Sequence, residues 1–264
     1  MTPPPVRRLA RIARFGARIP PTPDYAAALV AIGPAAIKLG QALSTRPDLV
    51  GDRAAENLSQ LQDDLPPAPF AAIKQTIESS FGAKLEELFT KFDEVPVGAA
   101  SIAQVHRAVT TEGREVAVKV LRPGIEEEFA NAIETYEWAA AHVERYGGEA
   151  QRLRPRMVVA QFRVWTAREL DLQREAASAS ELRENMVAEP GFYVPEIDWR
   201  RTARRVLTLE WLDGIKLNER EALIEADQDC KTLAATLVRA FLRQAVVDGF
   251  FHGRGTDHSG RSTQ

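Results

Sequence analysis

Apolar positions along the chain recur first at helical spacing, then at strand spacing, then at helical spacing again. Phe70, Ile73, Ile77 and Phe81 predict an amphipathic helix, and the first 92 or so residues read as helical. A short strand is predicted at Val95-Pro96-Val97 and another over 102–109, separated by the small residues Gly98, Ala99, Ala100 and Ser101. Glu112-Gly113 then marks a turn into EVAVKVL, residues 115–121. Its alternation puts Val116, Val118 and Val120 on one face and Ala117, Lys119 and Leu121 on the other, so neither face reads as solvated. Two long helices are expected within 124–189, the second a proline-free, charge-rich run from Arg156 to about Glu189. A strand follows over 205–209, and a helix from about Asp229 to Phe250 carries Leu233, Leu237, Phe241, Leu242, Val246 and Val247. There is no internal repeat.

The lysine in the apolar strand changes this picture. Removing an unpaired ammonium from water costs several kcal/mol or more, so Lys119 needs an acid or a bound anion. A strand, a small-residue loop, a strand, a turn and a V-A-V-K strand match the arrangement that covers a nucleotide triphosphate in protein-kinase folds. The loop is atypical in having one glycine, where backbone amides ordinarily approach phosphates through three. A plain hairpin with a snorkelling lysine fits the same local pattern. In an uninterrupted helix Asp171 and Glu175 share a face and Glu169 points away, so either Asp171 or Glu175 is a candidate partner for Lys119. The same run also suits a solvated face laced with ion pairs. Near the start, Pro34 suits the first turn of a helix that places Lys38 and Gln41 three apart on one face.

Taken together, KLGQ at 38–41 with LSTRPDL after it, LSQLQDDLPP at 58–67, the alanine-rich loop, VAVKVLRPG, the E-L-D of Glu169 to Asp171 with REAA, and LEWLDGIKL at 209–217 resemble the UbiB family. These are atypical protein-kinase-like proteins of ubiquinone and prenyl-lipid metabolism. The resemblance runs in order from about residue 25 to His252. It implies an α+β, protein-kinase-like fold, with a small antiparallel sheet lobe plus helices and an N-terminal helical extension. The expected division is 1–92 for a basic segment and the extension, 93–212 for the amino-terminal lobe with inserted helices, 213–251 for the opening of the second lobe, and 252–264 for a tail.

Residue by residue, the resemblance assigns Lys119 to the nucleotide phosphates and Glu175 to its ion pair. Ala99, Ala100 and Ser101 become the phosphate loop. Lys38 and Gln41 belong to the extension that folds over the substrate region, which Glu169 and Asp171 also reach. Glu210, Trp211 and Leu212 become a hinge whose backbone bonds adenine, with Glu210 and Leu212 as its contacts. The implied cofactors are ATP and Mg2+, with no metal ligand assigned before residue 252. The implied partners are prenylated quinone precursors, ubiquinone-biosynthesis proteins and an anionic membrane surface.

The family's G-F-F-H is followed by a catalytic-loop aspartate and asparagine and later by a magnesium aspartate. Here Gly249 to His252 lead into GRGTDHSGRSTQ, with Gly253 and Arg254 at the corresponding positions. Without the base and the metal ligands, most of the phosphoryl-transfer rate is expected to be lost. The change of composition after His252 reads as a shifted reading frame, with an incomplete second lobe; a nucleotide-binding pseudokinase is the other reading. An enzyme-family role and a non-catalytic nucleotide-binding or scaffold module therefore both remain.

Net charge is −3, which gives a nucleic-acid role no global support. Arg7, Arg8, Arg11, Arg14 and Arg18 precede the first acid, Asp24, and suit either a peripheral helix on an anionic membrane or a solvated basic terminus. No segment is apolar enough for long enough to span a bilayer, so a cytoplasmic chain, peripheral at the inner face of the membrane, is expected. One cysteine, Cys230, precludes an internal disulfide, and His106, His142, His252 and His258 lack structural-metal spacing.

Overall fold

The computed structural model describes residues 24–61, 65–146, 148–217 and 219–248. The arginines of the basic segment, Asp63 and Asp64, and the stretch 249–264 with His252, Asp257 and His258 lie outside the described residues. In chain order the elements are α1 (Tyr25–Ile32), α2 (Pro34–Ser44), α3 (Pro47–Val50), α4 (Asp52–Leu58), α5 (Phe70–Phe81), α6 (Leu85–Leu88), β1 (Phe89–Phe92), β2 (Gly98–Ala99), β3 (Ala103–Thr110) and β4 (Glu115–Leu121). Then come α7 (Ile125–Tyr146), α8 (Pro155–Glu169), α9 (Leu172–Met186), β5 (Val206–Glu210), α10 (Arg220–Glu225) and α11 (Cys230–Leu242), the last continuing as a π-helical turn over Arg243–Val247.

Several expectations shift. The first 92 residues are not all helical, because Phe89–Phe92 is a strand. Val95-Pro96-Val97 is not a strand: Pro96 has no N–H to give a ladder, and the Val97 N–H, which donates to the Val105 carbonyl at 2.8 Å, leads into β2. The single helix expected over 156–189 is two, α8 and α9, so the described residues of 124–189 hold three α-helices, with a 3-10 turn over Gly148–Leu153. The break falls at Leu170-Asp171, where Asp171 turns extended (φ −124°, ψ 91°) and accepts from the Gln173 N–H through Oδ1 at 3.2 Å. The strand expected at 205–209 lies one residue later, and the helix expected to reach Phe250 leaves α geometry after Leu242.

The chain forms two compact units, both discontinuous. The first is made of Met1–Thr76, Val95–Val105 and Val120–Leu170. Its helical end is built on Ile37, Leu58 and Leu61, against which Ala26, Leu29, Leu43, Val50 and Leu65 pack. Pro34 at the first turn of α2 starts that helix where its missing N–H does no harm, and Ala35, Ala36, Ile37 and Gly40 form its buried face. A Cβ on Gly40 would sit 2.5 Å from methyl groups of both Leu29 and Leu61, which accounts for the glycine inside KLGQ. Helices α7 and α8 pack along each other in the same unit, with Tyr136 and Phe162 ring centroids 6.1 Å apart.

The second unit is made of Ile77–Glu94, His106–Lys119 and Asp171–Gln264. Helix α9 packs on β5, and Leu182, Met186, Val194 and Ala240 form a core cluster with Phe192 against it. The sheet runs in the order β1-β3-β4-β5, with β2 also paired to β3, and strands β3 and β4 each contribute residues to both units. The two antiparallel registers on β3 are Phe92 opposite Ala108 and Gly98 opposite Val105. Unusually, β3 turns polar residues inward: Gln104, His106 and Thr110 are at most 1% exposed. Each is bonded. Gln104 Oε1 accepts from the Ala68 N–H, His106 Nδ1 lies 2.7 Å from the Asp93 carbonyl, and Thr110 Oγ1 accepts from the Arg114 N–H. Burial pushes the His106 pKa down, so its ring is a neutral core group.

The tip of the β3–β4 hairpin is clamped by a second buried network. Arg201, 5% exposed, donates to the Leu88 carbonyl (2.8 Å), Asp198 Oδ2 (2.8 Å), Thr111 Oγ1 (2.7 Å) and Glu112 Oε2 (2.7 Å). Arg114 adds a bond to Asp198. Truncating one partner of such a buried ionic group leaves the other charge unpaired, so Arg201→Leu should lower stability by about 3–5 kcal/mol. Denaturant unfolding measures this, and a loss well under 1 kcal/mol would contradict the clamp. Glu112 also has a pH signature. A bond from its own backbone N–H, then the Thr110 hydroxyl and the Arg201 charge, outweigh desolvation and hold its carboxyl at about 2, below the ordinary 4.5. The unfolded chain therefore binds the proton more readily, and the contribution of Glu112 is present above pH 4.5 and lost as pH falls toward 2. Circular dichroism across that window should register a shallower acid decline in Glu112→Gln than in the wild type.

Candidate functional site

Strand β4 delivers Lys119 from between Val118 and Val120, both fully buried. Its Nζ lies 2.7 and 2.8 Å from the two carboxylate oxygens of Glu175, in the first turn of α9. Of the two acids that the sequence left open, Glu175 is the one that meets the lysine. An ammonium has three N–H donors and both observed bonds go to one carboxylate, so a donor remains for a further anion. The side chains are 27% and 39% exposed, which leaves the pair reachable.

Glu175 is held by the way α9 begins. Asp171 caps the helix, and the Leu172 N–H, one of the donors a helix start leaves unpaired, donates to the Arg204 carbonyl at 2.9 Å. Leu172 and Ala176 are fully buried on this helix, fixing its rotation. Asp171 is therefore not on the Glu175 face of a continuous helix; its carboxylate serves the cap and lies 3.7 Å from Arg174 Nε. Glu169 ends α8, partly buried.

In the first unit, Lys38 and Gln41 sit on α2, both partly buried, and Gln41 Nε2 donates to the Leu61 carbonyl at 3.4 Å. The alanine loop lies in that unit too. The Ala100 N–H donates to the Ala103 carbonyl (2.8 Å), the Ala99 carbonyl accepts from the Leu65 N–H (3.4 Å), and Ser101 is fully buried. Beside it, Leu65, Pro66, Pro67, Pro96 and Ala99 line a pocket of about 420 Å³. Arg122, at the end of the VAVKVLR run, reaches both sides of this arrangement: Nε donates to the Ala100 carbonyl at 2.8 Å and an Nη to the Leu65 carbonyl at 3.2 Å. Burial lowers its pKa, against the pull of Glu128.

At the end of β5 the Trp211 N–H donates to the Glu115 carbonyl at 3.2 Å, and the Arg107 guanidinium lies 4.8 Å above the Trp211 ring. The Glu210 carboxylate accepts from the Tyr193 hydroxyl and the Glu196 N–H, and the Tyr193 bond is the main reason its pKa falls. Leu212 is 47% exposed. Sequence reasoning missed Arg122, Arg201 and Tyr193. Arg122 had a signal, since the residue before a proline is held extended, here directly after the strand carrying Lys119; the partners of the other two lie too far along the chain.

Residues 60–257 match the ABC1 atypical kinase-like domain. The chain is 44% identical over 225 residues to the probable protein kinase UbiB of Marinobacter nauticus, covering 85% of this chain and 41% of that one. It is 42% identical over 233 residues to the probable protein kinase UbiB of Xylella fastidiosa, covering 88% of this chain and 42% of the other. The chain thus spans about two-fifths of the length of these relatives. Among solved structures, the complex of Rv3197 with erythromycin from Mycobacterium tuberculosis aligns at 31% identity and a TM-score of 0.48, over 71% of this chain and 46% of that one. With the family match covering most of its length, the chain belongs to the ABC1 atypical kinase-like family and has its α+β, kinase-like fold.

Proposed function

We propose that this chain is the nucleotide-binding portion of a UbiB-like atypical kinase or ATPase that supports ubiquinone biosynthesis. The observation that carries the reading is the Lys119–Glu175 pair, a strand lysine held at 2.7 and 2.8 Å by one helix acid with a donor to spare. The pair holds the ammonium in one direction, which is what a lysine on nucleotide phosphates requires. ATP is the ligand: in the second unit Lys119 takes the phosphate role and the backbone at Glu210 and Leu212 the adenine role, and in the first unit Ala99, Ala100 and Ser101 have the family's phosphate-loop role. Lys38, Gln41, Glu169 and Asp171 serve the substrate side.

Mg2+ would enter with the nucleotide, as the family resemblance implies; among the described residues no group of three or more His, Cys, Asp or Glu side chains could hold a metal. The reading extends to prenylated quinone precursors as substrates and to peripheral membrane attachment. No helix among the described residues is long and apolar enough to cross a membrane.

Two measurements test the reading. ATP at a hundred times its dissociation constant should stabilise the chain by about 2.7 kcal/mol, a rise of several degrees in unfolding midpoint. Lys119→Ala should erase most of that rise, and an undiminished rise in the variant would remove the lysine from the site. In the organism that encodes it, deleting the gene should lower extractable ubiquinone, with prenylated precursors accumulating; unchanged quinone would refute the biosynthetic role.

A further inference from the structure

The alanine loop is stitched to its surroundings by more than its own turn. The Leu65–Ala68 segment runs beside it, giving the Leu65 N–H to the Ala99 carbonyl and the Ala68 N–H to the buried Gln104 side chain. Arg122 bonds the loop and this segment at once, through the carbonyls of Ala100 and Leu65. Its backbone takes part as well, the Arg122 N–H donating to the Ile102 carbonyl at 2.9 Å. Its hydrogen-bond partners are these two carbonyl oxygens, and the Glu128 carboxylate adds a charge interaction. A peptide unit is planar and trans, so a carbonyl held in one direction fixes the N–H of the next residue in the opposite direction. Binding the Ala100 oxygen therefore sets where the Ser101 N–H points.

From this we infer that Arg122 is a positioning residue for the alanine loop, fixing the plane of the Ala100–Ser101 peptide and tying the loop to the Leu65–Ala68 segment, and that affinity for the phosphate portion of a nucleotide depends on it. The second half rests on the nucleotide reading above. Arginine suits the task because its planar fork donates in two fixed directions, one for each carbonyl, whereas an ammonium is a point charge without that geometry. Alanines in place of glycines stiffen the loop, and the brace selects which stiff form it takes.

The test compares the wild type, Arg122→Leu and Arg122→Lys by hydrogen exchange over 97–103 and 65–72, with β5 as the internal reference, and titrates each with ATP and with adenosine. Loss of the brace should speed exchange in both segments by about tenfold or more while β5 is unchanged, since local opening frees only what the brace held. Lysine, able to reach one carbonyl, should fall between. ATP should bind Arg122→Leu about tenfold more weakly while adenosine binds as before, because only the phosphates meet the loop. Exchange that does not change in either variant overturns the proposal, as does equal weakening of ATP and adenosine, the mark of a purely structural role. If Arg122→Leu does not fold, the lysine variant carries the same readouts. A wild type that fails to bind ATP overturns the nucleotide reading alone, and the exchange rates still decide whether Arg122 positions the loop.

Discussion

An ammonium on a strand with fully buried neighbours, its own side chain about a quarter exposed, is favoured by an acid held close beside it, and the start of α9 is built to hold one. Val118 and Val120 are fully buried beside Lys119, so the lysine cannot be withdrawn without withdrawing the strand. The acid that answers it has to come from outside the sheet, at the right height and with its helix in the right rotation. Asp171 and the Arg204 carbonyl set the height by starting α9, and the buried Leu172 and Ala176 set the rotation. An acid in the first turn is also favoured by the unpaired N–H groups of a helix start. Glu175 is thereby fixed by three independent constraints before it touches the lysine.

Specific polar bonds hold the same sheet where an apolar interface would ordinarily serve. The inward face of β3 carries Gln104, His106 and Thr110, and the hairpin tip is gripped by Arg201 and Asp198. Buried polar groups of this kind are costly if any partner is lost, and their directionality admits one register only. Apolar packing alone tolerates sliding by two residues. A strand held by His106 on the Asp93 carbonyl and by Thr110 on the Arg114 N–H does not.

Where the sequence was legible, a local pattern sufficed. Strand β4 has the predicted bounds because seven residues of strict alternation follow a turn with glycine at positive φ, Gly113 at 82°. Helix α5 has its predicted span because Ile73 and Ile77 recur at the spacing that buries one face. The break between α8 and α9 was illegible because no proline or glycine marks it; the stop depends on a carbonyl 32 residues away in the chain, supplied by Arg204 to Leu172. The inward polar face of β3 was hidden for the opposite reason, since hydropathy sends Gln and His outward unless the bonds that satisfy them are known. Arg201 needed partners 89 and 90 positions distant, which no local window contains.

The discontinuity at Leu170-Asp171 also acts as a reset of phase. In one continuous helix, each residue inserted upstream would swing everything after it by about 100°, and Glu175 would turn away from the lysine. Because α9 is started afresh by groups of its own, residues added to or removed from α7 and α8 change the length of those helices and not the heading of the glutamate. The inserted helices are thus free to diverge in sequence and length, while the carboxylate that answers the strand lysine keeps its place.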